Sequence, residues 1–411
     1  MKKTIDIPKG YKQSPVGVIP ADWEVKRLGE ISDIGSGGTP SKKNSEYWNG
    51  EIPWITTSLL NQLTITRADE YITVAGLENS SAKLLKKGVL LMAMYGQGQT
   101  RGRVAKLEIG AATNQACAYI DINKGSKDFV FQYLTANYEH IRKESNDGNQ
   151  KNLSLGIITR IEVPFPSLPE QRKIAELLST WDKAIELQTS IIDKLALRKK
   201  GLMQQLLTGK KRLKGFIEPW KQIMYGNILK EIRRDIQWDD NERYDLISVK
   251  RRSEGIFRRE SLLGKEILTK TLGVVREGDF IISKMQIVHG ASALVTSEFD
   301  GAKVSGSYII LVPKKRGELN IDFFNYWSQM PRFYHQTFLS SYGVHIEKMT
   351  FDIIVFLSHT MNLPDISEQC AITDILTNAD NEIQKEKQKL EALKQQKKGL
   401  MQQLLTGKRR V

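Results

Sequence analysis

The densest cluster of groups able to read a base edge is Tyr95-Gly-Gln-Gly-Gln-Thr-Arg-Gly-Arg103, bracketed by apolar Leu90-Leu-Met92 and Val104. A glutamine amide pairs bidentately with adenine and an arginine with guanine, tyrosine and threonine reach phosphate or methyl groups, and glycines let the backbone come close. Tyr95, Gln97, Gln99, Thr100, Arg101 and Arg103 are therefore candidate DNA-contacting residues. A solvated hairpin tip has the same composition, and the loop by itself leaves both readings open. In the second half, Lys250-Arg251-Arg252 and Arg258-Arg259 are basic runs that suit either phosphate contact or a solvated face. Lys284-Met285-Gln286 stands where the Tyr95 loop begins in the first half, so Lys250, Arg251, Arg252, Lys284 and Gln286 complete the candidate set. Asn114-Gln115 and Ser305-Gly306-Ser307-Tyr308 are equivalent small polar stretches that either flank the same groove or cap strands.

Catalytic patterns are missing. The five histidines include no pair at the i, i+4 spacing of a zinc helix, and His289 and His345 stand alone. Gly209-Lys210 lacks the earlier glycine of a phosphate loop, since that position is Gln204. Neither an Asn/Asp-Pro-Pro-aromatic stretch nor a Gly-x-Ser-x-Gly elbow occurs. The two cysteines, Cys117 and Cys370, sit in different segments, which argues against a disulfide framework or cysteine-based zinc site and for a reducing compartment. Lys+Arg 61 against Asp+Glu 47 gives a formal charge of +14, and the pI near 9.4 suits a polyanionic partner. With no apolar signal core after Met1 and no run of about 18 apolar residues, the expectation is a soluble cytoplasmic protein that does not enter a membrane.

The elements that must position those residues are two copies of one helix. Glu170 to Arg212 returns as Glu368 to Arg410 at a constant shift of 198 residues, and Lys199-Lys-Gly-Leu-Met-Gln-Gln-Leu-Leu-Thr-Gly-Lys210 recurs unchanged as Lys397 to Lys408. Apolar residues at Ile174, Leu178, Trp181, Ile185, Ile192, Leu195, Leu202 and Leu206 make a heptad seam, interrupted at Gln188 and Lys199. The second copy keeps it, with interruptions at Glu386 and Lys397. Ser167 with Glu170 and Asp365 with Glu368 resemble capping boxes, and Gly209 and Gly407 suit C-terminal stops. Tandem copies packed on each other make an isologous contact, which an antiparallel pair satisfies. Matching the polar interruptions sets Lys199 opposite Glu386 and Gln188 opposite Lys397, pairs whose numbers add to 585. Gly201 and Gly399, each costing about 1 kcal/mol in a helix interior, call for a close helix neighbour or are tolerated weak spots.

Outside the helices the duplication is fainter. Gly17 to Trp23 is echoed by Gly215 to Trp220, Gly88 to Ala93 by Gly278 to Ser283, Gly110 to Gln115 by Gly301 to Gly306, and Phe131-Gln-Tyr133 by Phe324-Asn-Tyr326. These read as paired strands followed by helix-compatible segments. The expected fold class is α+β: two globular mixed α/β domains separated by two long helices forming an antiparallel coiled coil, with an internal repeat. The boundaries are 1–165 for the first domain, 166–212 for the central helix, 213–362 for the second domain and 363–411 for the last helix.

This organisation resembles the specificity subunit of type I DNA restriction-modification systems. The residues carrying the resemblance are Gly37-Gly-Thr-Pro-Ser-Lys42, Tyr47-Trp-Asn-Gly50, Ile52-Pro-Trp54, Gln150-Lys-Asn-Leu-Ser154, Pro164-Phe-Pro-Ser-Leu-Pro-Glu-Gln171 and the repeated helix ending. The resemblance implies two target-recognition domains that each read one half of a bipartite double-stranded DNA site, with the helices as spacer. It also implies docking of two methyltransferase subunits, joined by restriction-translocase subunits. No cofactor belongs to this chain; S-adenosylmethionine, ATP and Mg would reside in the partners. The second half lacks the Gly-Gly-Thr-Pro and Gln-Lys-Asn-Leu signatures, so the target should be asymmetric. The physical reading alone also allows a basic coiled-coil scaffold with no sequence preference. A stand-alone nuclease or methyltransferase would need an acidic or nucleotide-binding site that the sequence does not offer.

Overall fold

The computed structural model describes residues 7–96, 99–144 and 152–411, and the chain divides into two compact units, Met1–Thr189 with Gln388–Val411, and Ser190–Lys387. In the first unit a five-stranded sheet runs in the order Ser32–Ser36, Cys117–Ile122, Leu90–Ala93, Val104–Leu107, Thr64–Ile65, antiparallel except for the last pair. All four residues of Leu90–Ala93 are buried. Because strand side chains alternate, Leu90 and Met92 enter one apolar cluster and Leu91 and Ala93 another. Covering on both faces is why this strand reads as an unbroken apolar run. A smaller sheet joins Ala112–Thr113, Trp48–Ile55 and Glu70–Ile72.

The second unit repeats the plan. Its main sheet has the order Leu229–Ile232, Tyr308–Pro313, Phe280–Ser283, Ser292–Leu294, and Phe280 and Ile282 again part from Ile281 into separate clusters. A second sheet contains Ile256–Leu263, Arg243–Val249, Lys303–Ser305 and Leu272–Val274. The parallel pairing of Lys303–Ser305 on Arg243–Val249 matches that of Ala112–Thr113 on Trp48–Ile55. The echoes at Gly88/Gly278 and Gly110/Gly301 thus correspond strand for strand, whereas Gly17–Pro20 is a strand with no strand opposite it in 215–220; Phe131 and Phe324 lie in the equivalent helices Lys127–Ala136 and Ile321–Trp327.

Two long helices, Leu168–Leu206 and Ile366–Leu404, contain 39 residues each, or about 58 Å at 1.5 Å per residue. Both stop at a left-handed glycine, Gly209 (φ 69°) and Gly407 (φ 68°), where a residue with Cβ would be strained. Each unit holds the opening part of one long helix beside the closing part of the other. In the first unit Ile174, Ala175 and Leu178 share a core with Met401, Leu404 and Leu405; in the second, Ile372 and Leu376 share one with Met203, Leu206 and Leu207. Off-seam Leu187 and Leu197 are 63% and 70% exposed, as the heptad phase requires. Gly201 and Gly399 have open space where a Cβ would stand, so no close neighbour among the described residues calls for glycine there.

Pairing is antiparallel in each unit, but the register departs from expectation. Lys397 Nζ donates to Asp182 Oδ1 at 2.5 Å and Lys199 Nζ to Asp380 Oδ1 at 2.7 Å. The numbers of these partners add to 579, not 585. The physical reason is charge: Lys397 is only 7% exposed, and a buried ammonium requires a full countercharge, which Gln188 cannot supply. The seam lysines therefore meet aspartates that lie beside the seam rather than the polar residues within it. The capping boxes also differ. Asp365 Oδ1 does accept from the Glu368 N–H at 2.9 Å, but the carboxylates of Glu170 and Glu368 are taken by other partners.

Candidate nucleic-acid interface

Those partners build the frame on which each candidate surface rests. In the first unit Glu170 accepts from Trp23 Nε1 at 3.2 Å and Arg410 Nη2 at 2.8 Å, while Arg410 also forks onto both oxygens of Asp22 at 3.0 and 2.9 Å. The Arg410 guanidinium holds the Asp22 carboxyl below its ordinary value, and the pair of carboxylates raises Arg410 in turn. In the second unit Glu368, 1% exposed, accepts from Arg212 Nε and Nη2 at 2.7 and 2.8 Å and from Trp220 Nε1 at 2.9 Å. Each arginine also lies over its tryptophan, at 5.8 and 5.9 Å from the ring centroid. This explains why both halves open on a glycine-to-tryptophan echo. Gln171, which the sequence offers only as the end of the Pro164–Gln171 stretch, and its counterpart Gln369 are both fully buried. Each accepts from the backbone N–H at the start of the following-sheet helix, Ser126 or Asn320, at 2.8 Å. Their identical place after the duplicated glutamate was the available signal.

On this frame the Tyr95 loop joins Leu90–Ala93 to Val104–Leu107. Gln97 lies outside the described residues. The rest of the loop is held from behind by the helix Tyr138–Lys143: Tyr138 Oη donates to the Gln99 carbonyl at 2.6 Å, Arg142 Nη1 donates to Tyr138 Oη at 2.8 Å, and Arg101 Nη2 reaches the Arg142 carbonyl at 3.5 Å. Arg103 and Arg142 lie 6.0 and 5.9 Å from the Tyr138 ring. Arg103 Nη2 also donates to Gln99 Oε1 at 3.3 Å. Tyr95 and Gln99 are exposed, whereas Thr100, Arg101 and Arg103 are half-buried. Gln99 is therefore presented from a backbone held by Tyr138, with Arg101 and Arg103 half-buried beside it. Leu153 donates its N–H to the Met94 carbonyl at 3.0 Å, which brings Asn152-Leu-Ser154 to the base of the loop; Gln150 and Lys151 lie outside the described residues.

The Gly37–Pro40 stretch is packing more than display. A Cβ on Gly37 would stand 1.9 Å from the Thr113 carbonyl oxygen and one on Gly38 2.3 Å from Ser81 Oγ, so only glycine fits. Trp54 Nε1 donates to the Gly38 carbonyl at 3.0 Å, and Thr39 Oγ1 donates to Gln115 Oε1. Asn114 caps the turn, its Oδ1 accepting from the Ala116 N–H at 3.2 Å.

In the second unit the candidates come together from three segments. Arg251 Nη2 donates to Glu347 Oε2 at 2.7 Å, and His289 Nε2 lies 3.2 Å from Glu347 Oε1 without the alignment of a hydrogen bond. Glu347 belongs to the turn between the short strands Ser341–Tyr342 and Thr350–Phe351. The Phe351 N–H donates to the Lys284 carbonyl at 3.0 Å, closing the triangle. Arg252 and Ser253 are consecutive left-handed residues (φ 59° and 55°), a strained arrangement of the kind found at functional turns. Ser253 Oγ bonds Tyr334 Oη at 2.8 Å and its N–H donates to Gly290 at 2.8 Å. Lys250 is exposed. Lys284 turns its ammonium to the Gly306 carbonyl at 3.1 Å, and Gln286 is half-buried at the start of the turn. Tyr342 and Val344, in the same 341–351 hairpin as Glu347, are 64% and 97% exposed.

Among the described residues no group of three or more His, Cys, Asp or Glu could hold a metal ion, and no helix is long and apolar enough to cross a membrane. Burial pushes the Cys117 thiol up to about 12, leaving it un-ionised.

Residues 20–197 match the family model of the type I restriction modification DNA specificity domain. The type I restriction enzyme MjaIX specificity subunit of Methanocaldococcus jannaschii is 33% identical over 196 residues, 46% of this chain and 45% of that protein; in this match the chain spans less than half of the relative. The MjaVIII specificity subunit of the same organism is 23% identical over 421 residues, 96% of this chain and 94% of that one. The crystal structure of the type I restriction-modification system S subunit from M. genitalium superposes with a TM-score of 0.57 at 13% identity, over 93% of this chain and 96% of that one. A chain from a study of complex assembly and conformational transition of the type I R-M system gives 0.58 at 15%, over 95% and 99%. At such identities the structural likeness speaks to the fold.

Proposed function

We propose that the chain, whose residues 20–197 match the type I restriction modification DNA specificity domain and which is similar to type I specificity subunits, is the DNA sequence-specificity subunit of such a complex and has no active site of its own. Two target-recognition domains, residues 1–165 and 213–362, each read one half of an asymmetric bipartite site. The long helices set the spacing and dock two methyltransferase subunits, which bring S-adenosylmethionine; restriction-translocase subunits with ATP and Mg join for cleavage. The observation that carries this reading is a contrast within one chain: the Trp-Glu-Arg frame recurs, its glutamate and arginine at the 198-residue shift and its tryptophan at 197, while the surfaces mounted on it share neither sequence nor geometry.

In the first domain Tyr95, Gln97, Gln99, Thr100, Arg101 and Arg103 contact DNA, the exposed amide reading a base edge while the braced arginines meet guanine or phosphate. In the second, Lys250, Arg251, Arg252, Lys284 and Gln286 supply mainly phosphate contacts, which raise affinity for any duplex and weaken with salt.

The deciding experiment combines the full chain with its methyltransferase subunits and maps methylated adenines. A split, asymmetric motif is expected, and exchanging residues 1–165 for those of a relative should alter one half only. Lengthening both helices by four residues, about 6 Å at 1.5 Å rise, should favour a spacer longer by about two base pairs at ~3.4 Å each. Equal affinity for unrelated duplexes would instead favour a basic scaffold, and methyl transfer by the isolated chain with S-adenosylmethionine and Mg would overturn the non-catalytic role.

A further inference from the structure

The two seam ion pairs have a third partner. In the first unit Asp182 gives one oxygen to Lys397 at 2.5 Å and the other to Gln132 Nε2 at 2.5 Å. Gln132 lies in Lys127–Ala136, the helix packed on the main sheet of that unit. In the second unit Asp380 gives one oxygen to Lys199 at 2.7 Å and the other to Tyr326 Oη at 2.8 Å. Tyr326 lies in the equivalent helix Ile321–Trp327, and the Lys199 ammonium stands 5.2 Å over its ring. Burial raises the Tyr326 phenol, keeping it a donor. Aspartate and lysine are related by the 198-residue shift, whereas the third partner differs between the copies. Each joint therefore ties three elements at one point: the first long helix, the second long helix and the recognition-domain helix.

Stability does not account for such a joint, because a buried ion pair is often matched or bettered by an apolar pair of similar volume. Register does. Sliding one long helix by a turn would leave Lys397, 7% exposed, without its carboxylate and would pull Asp182 from Gln132, whereas leucine layers would re-form after a slide of one heptad. We infer that Asp182–Lys397–Gln132 and Asp380–Lys199–Tyr326 are positioning joints that fix where each recognition domain sits along the helix pair, and thereby determine the tolerated spacer length between half-sites. The inference rests on the bipartite-site reading.

The test uses the full chain assembled with its methyltransferase subunits, on a duplex library carrying both half-sites at every spacer from two base pairs shorter to two longer. Variants are D182N/K397M, which keeps volume and removes charge, the exchange D182K/K397D, and Tyr326→Phe, which removes one hydroxyl. The ratio of methylation at the cognate spacer to that at its neighbours is the readout, one that thermal stability does not move. The charge-free variant should lower that ratio at least tenfold, Tyr326→Phe should lower it less, and the exchange should restore it. A folded charge-free variant with the original ratio overturns the inference. Should that variant fail to assemble, Tyr326→Phe decides in the same direction, an unchanged ratio counting against the joints. A wild-type complex with no fixed two-part site would defeat the underlying reading as well; a wild-type complex with a fixed spacer and unaltered variants would defeat the joints alone.

Discussion

The two units solve anchoring identically and display differently. Trp23, Glu170 and Arg410 repeat as Trp220, Glu368 and Arg212, yet one candidate surface is a single loop braced by Tyr138 and the other is assembled from segments 96 residues apart in sequence, Arg251 and Glu347. What stays constant is what faces the helices. What varies is what faces outward. Duplication followed by divergence of exposed loops leaves a frame able to carry unrelated recognition surfaces, since loop changes cost little stability.

The anchors are not equally deep, and that is where the comparison breaks most sharply. Side-chain exposure is 9% and 18% for Lys397 and Asp182 but 17% and 42% for Lys199 and Asp380. Asp182→Ala should destabilise the first unit by about 3–5 kcal/mol, the cost of stranding a buried charge. Asp380→Ala should cost the second unit roughly 1–3 kcal/mol. Urea unfolding followed by a probe in each unit would measure both, and equal losses would show that burial at the joints does not set their strength.

On the display side, Gln99→Ala or Arg101→Ala should relax discrimination in one half-site by about 1–3 kcal/mol. Lys250→Ala should weaken cognate and scrambled duplexes alike and reduce the salt slope by about one. Competition binding over a salt series separates the outcomes; equal losses on both duplexes would remove Gln99 and Arg101 from base readout.

Chemical labelling offers a milder contrast. Cys117 is buried and un-ionised, its thiol raised to about 12, while Cys370 is exposed. Iodoacetamide at pH 8 should modify Cys370 in the native protein and Cys117 only after the first unit unfolds. Mass spectrometry of the two peptides reads the result.

The smallest expected difference lies at the helix starts. Asp365 is held below its ordinary 3.8, chiefly by the Ser367 hydroxyl and then by the Glu368 N–H. A depressed carboxyl contributes fully above the unfolded value and loses its contribution as pH falls through the folded one. Protonation below about pH 4 should thus loosen the start of Ile366–Leu404, while the counterpart Ser167 has no charge to lose. Hydrogen exchange at pH 5 and pH 3, with Asp365→Asn as the control, would reveal it.

The repeat, the seam phase, the glycine stops and the strand echoes were legible in the sequence because each is a local or periodic pattern. The register was not, since the choice between Gln188 and Asp182 as the partner of Lys397 depends on a lysine stem reaching sideways out of the seam. Glu170 and Glu368 looked like capping residues because a carboxylate three positions after Ser167 or Asp365 has that local use; their arginines lie 240 and 156 residues away. The convergence of Arg251, His289 and Glu347 was invisible for the same reason. Glycines 37 and 38 carried a family signature whose physical cause, contact with Thr113 and Ser81, appears only once distant strands are side by side.

The allocation of residues 388–411 to the first unit has a consequence for biogenesis. The second unit is a continuous stretch, Ser190–Lys387, and is complete as soon as that stretch leaves the ribosome. The first unit is begun earliest and finished last. Glu170 and Arg410 are 240 residues apart, so at about 5–20 residues per second roughly 12–48 seconds separate their emergence. Throughout that interval Trp23, Ile174 and Leu178 lack Met401, Leu404 and Leu405, their neighbours in the finished core. A nascent chain therefore carries an unclosed first unit until residues 388–411 arrive, and that unit is where chaperone engagement and co-translational proteolysis should concentrate.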